Sequence, residues 1–166
     1  MDKQEEKILE KARWDELIKL RSLFNYQFGE NYGDLFFPED IKITRSKRTG
    51  RIRDIFYNGE LIAIFRPRVG LITLSLVGAK RFLDVVEDSR SIVVVDDGVE
   101  DFIRKGKSVF AKHVIKADHR IRSQDEVIIT NEKKDLLAVG KAFLSGREML
   151  CFNRGIAVNV RKGLNH

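Results

Sequence analysis

Val93-Val-Val-Asp-Asp-Gly-Val-Glu-Asp-Phe-Ile-Arg-Lys-Gly-Lys-Ser-Val-Phe-Ala-Lys-His-Val-Ile115 and the later run from Asp125 to Arg161 decide the fold of this chain. Glycines at 98, 106, 140, 146 and 155 cut the stretch into short pieces. Val127-Ile-Ile-Thr130 is a strand signal flanked by charge, and Leu136–Leu144 is another that ends at Ser145-Gly146. Ile156, Val158 and Val160 alternate with Ala157, Asn159 and Arg161, which is strand periodicity with one polar face. Asp97 is placed to cap a helix over Val99–Lys105, with Glu100 at the capping-box position and Val99, Phe102 and Ile103 as its buried face. Gly106 then fits the left-handed position past the helix end, and Ser108–Ile115 comes next as a strand. Many short strands, two short helical pieces and almost no proline predict a small, mostly β barrel.

Working outward, residues 3–26 predict a helix with Ile8, Ala12, Leu17, Leu20, Leu23 and Phe24 as its apolar stripe and Trp14 and Ile18 widening it. The stripe packs on a sheet or serves a partner; Trp14 reads as core. Pro38 stops regular structure in 34–40, and strands are expected over Ile41–Arg45, Arg51–Tyr57, Glu60–Phe65 and Leu71–Leu74. Asn58-Gly59 is a strong hairpin signal, because both central positions of a type I′ turn need φ > 0. A helix over Ser75–Val86 closes this unit, and Asp84–Arg90, without Gly or Pro, forms a tight junction to the next. The expected fold is α+β, with one α+β unit at 1–88 and the barrel at 89–166.

Order and spacing of several pieces together resemble a PUA domain, an RNA-binding module. The pieces are Val95-Asp-Asp-Gly, Gly106-Lys-Ser-Val-Phe-Ala-Lys-His-Val, Asp125-Glu-Val-Ile-Ile, Ala138-Val-Gly-Lys-Ala, Ser145-Gly-Arg-Glu-Met and Arg154-Gly-Ile-Ala-Val. The region from Arg51-Ile-Arg-Asp to Ala79-Lys-Arg-Phe resembles the pre-PUA domain found in the C-terminal part of archaeal (archaeosine) tRNA-guanine transglycosylases. The resemblance implies a pre-PUA α+β domain and then a PUA pseudo-barrel. It implies an RNA face built from the first helix, second strand and last strand of the barrel. That places Gly98, Arg104, Lys105, Gly106, Lys107, Lys112, Arg154, Arg161 and Lys162 near RNA. The family's large catalytic barrel has no counterpart here, so its catalytic residues have no positions to be carried onto.

Charge points the same way. The chain has 31 Lys and Arg against 25 Asp and Glu, for a net +6 and an isoelectric point near 9.5. Residues 1–88 hold 16 basic and 15 acidic groups, and residues 89–166 hold 15 and 10, so the excess lies in the barrel half. Spaced cations suit phosphates, and glycines let a polynucleotide backbone approach closely. The alternative is an ordinary solvated surface. A second basic group, Arg45, Lys47, Arg48, Arg51 and Arg53 with Arg66 and Arg68 nearby, straddles a hairpin. It suits RNA, with Tyr57 as a stacking ring, or serves as a charged edge that blocks sheet-to-sheet pairing.

His113 reads as a structural or surface residue rather than a catalytic one, His119 and His166 lack partners at metal-ligand spacing, and Cys151 reads as a small core residue rather than a nucleophile. No phosphate-binding loop, dinucleotide fingerprint or nucleophile elbow is present. We therefore expect no catalytic residues, no metal and no cofactor. A single cysteine permits no internal disulfide. No apolar run reaches membrane-spanning length, which leads us to expect no membrane partner and a cytoplasmic location. The expected function is binding of structured RNA, tRNA or rRNA, as a non-catalytic accessory in RNA modification or ribosome maturation, with a separate RNA-modifying enzyme as a candidate partner. Two alternatives stay open: a protein–protein adaptor on a PUA fold, and a non-autonomous subunit of a tRNA-modifying enzyme.

Overall fold

The computed structural model describes residues 8–166. Of the helix expected over 3–26, residues 3–7 lie outside the described residues, and 8–13 are not helical. A two-residue strand β1 (Glu10–Lys11) comes first, and α1 runs Trp14–Phe28. No Ser, Thr, Asp or Asn marks this start. The carboxylate of Glu16 accepts from the Arg13 backbone N–H instead, at 3.0 Å. Next come α2 (Tyr32–Phe36), β2 (Lys42–Arg45), β3 (Ile52–Tyr57), β4 (Glu60–Arg66), β5 (Leu71–Leu74) and α3 (Leu76–Val85). Asn58 and Gly59 have φ of 49° and 78°, as a type I′ hairpin between β3 and β4 requires. Ser75 caps α3 by accepting from Gly78 N–H at 2.9 Å.

The five strands form an antiparallel sheet in chain order, β1-β2-β3-β4-β5. Its covered face is filled by rings: Phe24 lies 4.4 Å from Phe28 and from Phe36, and Phe82 lies 5.5 Å from Phe28 (centroid distances). Phe24, Phe28, Phe36, Phe37 and Phe82 are fully buried, and each such ring contributes roughly 1.5–3 kcal/mol of burial.

The second unit holds β6 (Ile92–Val95), a 3-10 turn over Asp97–Val99, α4 (Glu100–Arg104), β7 (Val109–Phe110), a 3-10 turn over Ala111–His113, and β8 (Val114–Ala117). It continues with β9 (Glu126–Thr130), β10 (Leu136–Ala142), α5 (Gly146–Cys151) and β11 (Ile156–Gly163). Its strand order is β7-β11-β10-β9-β6-β8, antiparallel except for the parallel pair β6/β9. The two edge strands, β7 and β8, are joined by only the three residues of the second 3-10 turn, so the sheet is bent almost into a closed barrel.

The single strand expected over Ser108–Ile115 is therefore two strands belonging to opposite sheet edges. The helix start also differs. Asp96, not Asp97, accepts from Gly98 N–H at 3.0 Å, and Glu100 bonds Asn131 and Arg104 rather than closing a capping box. The helix end agrees with expectation: Gly106 has φ 85°, Lys107 N–H reaches Phe102 O at 3.0 Å, and Gly106 N–H reaches Ile103 O at 2.9 Å.

Strand β9 is buried at all five positions, with no alternation. Val127 and Ile129 point into the barrel core, while Ile128 and Val139 of β10 belong to the phenylalanine-rich core of the first unit. One wall of the barrel thus serves two cores. The junction is tied down as well. Tyr32 O–H donates to Asp88 O at 2.5 Å, Ser89 O–H to Phe28 O at 3.3 Å, and Arg90 to the carbonyls of Tyr26 and Gln27 at the end of α1.

Candidate nucleic-acid interface

Gly163 brings the end of β11 against the turn between α4 and β7. A Cβ at this position would stand 2.3 Å from Arg104 O and 2.6 Å from Gly106 N, so only glycine allows the contact. Asn165 N–H also donates to Arg104 O at 2.8 Å. This packing gathers Lys105, Gly106, Lys107 and Lys162. All three lysines are exposed and have no ion pair among the described residues. The ring of His166 lies over Gly106, within 2.8 Å of where a Cβ would be.

A second group forms at the other end of the same edge. Ala111 N–H donates to Gly155 O at 2.9 Å, and Phe110 pairs with Ile156. That sets Lys112 beside Arg154, both exposed and unpaired among the described residues. Lys112 lies in the 3-10 turn rather than in a strand as expected. From Gly155 to Lys162 the strand covers about 23 Å, so the edge can follow several nucleotides. Gly98 sits close to this second group. It is bonded to Asp96, whose carboxylate also meets His113 Nδ1 at 3.0 Å.

Two expected contacts are used elsewhere. Arg161 donates to both oxygens of Glu126 at 2.7 and 3.0 Å and to Leu74 O at 2.8 Å, which pins the barrel to the first unit. The Glu126 side chain is 4% exposed. Burial pushes its carboxyl up to about 7, against the opposing pull of Arg161, Lys141 and Arg66. Arg104 pairs with Glu100 at 3.3 Å and donates to Leu136 O, again within the fold. Both arginines are therefore engaged within the fold.

The first unit's basic group divides in the same way. Arg45 is held by Glu10 and by Glu16, the latter at 2.7 Å, and does not belong to an open cationic face. Hydrogen bonding to these two carboxylates holds its guanidinium above its ordinary pKa. Lys47, Arg48 and Arg51 occupy the β2–β3 turn, with Arg53 exposed on β3. Arg68 lies in the β4–β5 turn, and the alternation of a meander puts both turns at one end of the sheet. Tyr57, suggested as a stacking ring, is instead covered by the guanidinium of Arg81 at 4.4 Å from its centroid.

Residues that sequence reasoning missed are aromatic. Phe102, expected in the core, is 63% exposed, beside Lys105. Phe110 lies between Lys107 and Lys112, and Phe152 lies two residues before Arg154; both are about half exposed. Rings alternating with cations suit unstacked bases. The available signal was Val109 in, Phe110 out on an edge strand. Trp14 and Cys151, both expected in the core, are exposed.

Comparison with known proteins accords with this layout. Residues 19–88 match the patch-forming domain C2 of tRNA-guanine transglycosylase, and residues 91–164 match the PUA domain. The chain is a C2-type domain joined to a PUA domain. The PUA domain is an RNA-binding module. The chain is 45% identical to the tRNA-guanine(15) transglycosylase of Methanothermobacter thermautotrophicus over 90% of its own length and 23% of the relative's. The Pyrococcus abyssi enzyme of the same name gives 43% identity over 98% and 27%. The chain thus spans about a quarter of these curated relatives, and it resembles their C-terminal part. A hypothetical protein of Pyrococcus horikoshii superposes with TM-score 0.78 at 25% identity, covering 96% of both chains. A PUA domain protein of Thermoplasma acidophilum, 19% identical, shares the fold with TM-score 0.70 over 96% and 95%. Among the described residues no helix is long and apolar enough to cross a membrane, and no three His, Cys, Asp or Glu residues are grouped to hold a metal.

Proposed function

We propose that this protein binds structured RNA, tRNA ahead of rRNA, along the β7–β11 edge and performs no chemical step itself. The observation that carries this reading is the edge. Lys105, Lys107 and Lys162 stand at one end, Lys112 and Arg154 at the other, with exposed Phe110 between them. The cations hold phosphates and fix register, and the rings stack on splayed bases. The turn cations Arg48, Arg51 and Arg68 of the C2-type unit, with Arg53 on β3, form a second, weaker rim, joined by Lys47. The protein then works as an accessory in tRNA modification. Filter binding to tRNA and to a single-stranded homopolymer, over a range of salt, tests it. We expect tighter binding of tRNA and a steep fall of affinity with salt. Equal binding of both, or none, would refute it.

A second reading draws on the coverage of the relatives: the chain supplies the RNA-holding part to a transglycosylase catalytic part. Nucleoside composition of tRNA incubated with the protein alone, and with that catalytic part, separates the two. The second reading expects product only in the mixture.

A further inference from the structure

Strand β8, the other edge strand of the barrel sheet, leads away from the cationic edge toward the domain junction. Lys112 precedes its first residue by two positions, and its last residue, Ala117, runs into the turn that holds Arg120 and Arg122. Lys112, Lys116 and Arg120 recur every four residues along this path, and all three are exposed. Lys116 and Arg122 have no ion pair among the described residues. The strand itself covers about 13 Å.

The path ends at a cleft of about 640 Å³ between the two domains, walled by Tyr26, Glu30, Tyr32, Asp88, Arg90 and Arg120. Ligand clefts run from roughly 300 to 1,000 Å³ and favour domain interfaces. The walls are held in place. Tyr32 is bonded to Asp88 O, Arg90 to the end of α1, and Arg120 grips both oxygens of Asp118 at 3.0 and 2.8 Å. The Tyr32 ring also closes over Gly29, where a Cβ would stand 2.6 Å from it. Tyr26 is 73% exposed and makes no ring contact among the described residues.

The chemistry of the walls selects the occupant. Two guanidinium groups and two carboxylates cancel, so the cleft exerts no net pull on a free polyanion. The carboxylates of Glu30 and Asp88 hold no hydrogen bond among the described residues and can accept from an amino group. Arg120 uses only Nε and Nη2, and Arg90 only Nη2, which leaves donors on both for a carbonyl or ring nitrogen. The Tyr26 ring adds a flat face. A nucleobase presents donors, acceptors and a π face together. We propose that β8 carries the RNA strand from the cationic edge to this cleft, and that the cleft takes one unpaired base of the bound RNA. The proposal rests on the RNA-binding reading above and adds a subsite to it.

Filter binding of tRNA and of a fully paired RNA duplex, which offers no unpaired base, decides it. Tyr26 and Lys116 are exposed, so their variants keep the fold. We expect Tyr26→Ala to weaken tRNA binding at least fivefold without changing its salt slope, and Tyr26→Trp to restore it. Both should bind the duplex as the wild type does. Lys116→Ala should lower the salt slope for tRNA by about 0.7–0.9, the share of one phosphate. In a Trp14→Phe/Tyr26→Trp protein the single tryptophan should be quenched by tRNA and not by the duplex. Wild-type tRNA affinity in Tyr26→Ala, a loss that Tyr26→Trp does not restore, or an unquenched tryptophan overturns the base site. An unchanged slope in Lys116→Ala overturns the path along β8. These failures leave the RNA reading standing if the Lys105→Ala/Lys107→Ala/Lys162→Ala variant still loses affinity. A wild type that binds no tRNA overturns both.

Discussion

Arg161 and Lys162 are neighbours on one strand with opposite uses. Arg161 is bonded to Glu126 and to Leu74 O across the domain seam, while Lys162 is exposed beside Lys105 and Lys107. The same division separates the seam from the barrel edge as regions. At the seam, charge is matched, buried and directional. Along the edge, charge is exposed and unmatched among the described residues, and aromatic rings stand between the cations. The difference teaches that a cation's role here depends on its neighbours and not on its strand. Charge at the seam ties the two domains together, and charge at the edge stays exposed, as the proposed RNA contact requires.

The contrast breaks most sharply at Arg161. Arg161→Ala strands a carboxylate that is 4% exposed and should cost about 3 kcal/mol, read as a lower denaturant midpoint. Lys162→Ala should stay within about 0.5 kcal/mol of wild type in the same measurement. Equal costs would erase the distinction between seam and edge.

Gly163→Ala comes next. A methyl group there meets Arg104 O and Gly106 N, so the strand end must move off the α4–β7 turn. We expect a loss of about 1–3 kcal/mol by thermal unfolding, with weaker tRNA binding because the three lysines lose their common anchor.

A smaller effect concerns pH. Glu126 has its folded pKa raised to about 7 from an ordinary 4.5, so the folded protein holds this proton more tightly than the unfolded chain. Its contribution is therefore greatest below pH 4.5, declines as pH rises towards 7 and is level above that. Glu126→Gln should remove this downward slope, seen as the difference between the two proteins in denaturation series from pH 4.5 to 8. A slope shared by both would assign it to other groups.

Several of these features can be read in the sequence because they depend on local geometry. Asn58-Gly59 and Gly106 have the positive φ that their turns need, and the strand runs of the barrel fall where the apolar pieces do. What was hidden depends on contacts distant in sequence. Glu126 looks like the polar flank of a strand, and only the arrival of the first domain buries it. Arg161 looks like any alternating surface cation for the same reason. Phe102 has helical spacing with Val99 and Ile103, yet α4 is only five residues long and buries only Ile103 among its own residues. Trp14 begins α1 rather than sitting within it, which turns it outward.

The most direct test is the salt dependence of tRNA binding by two proteins: wild type and the Lys105→Ala/Lys107→Ala/Lys162→Ala variant. Each phosphate contact contributes about 0.7–0.9 to the slope of log affinity against log salt. If the edge holds RNA, the triple variant remains folded, binds more weakly and loses about 2–3 units of slope. A folded variant with the wild-type slope and affinity would contradict the account.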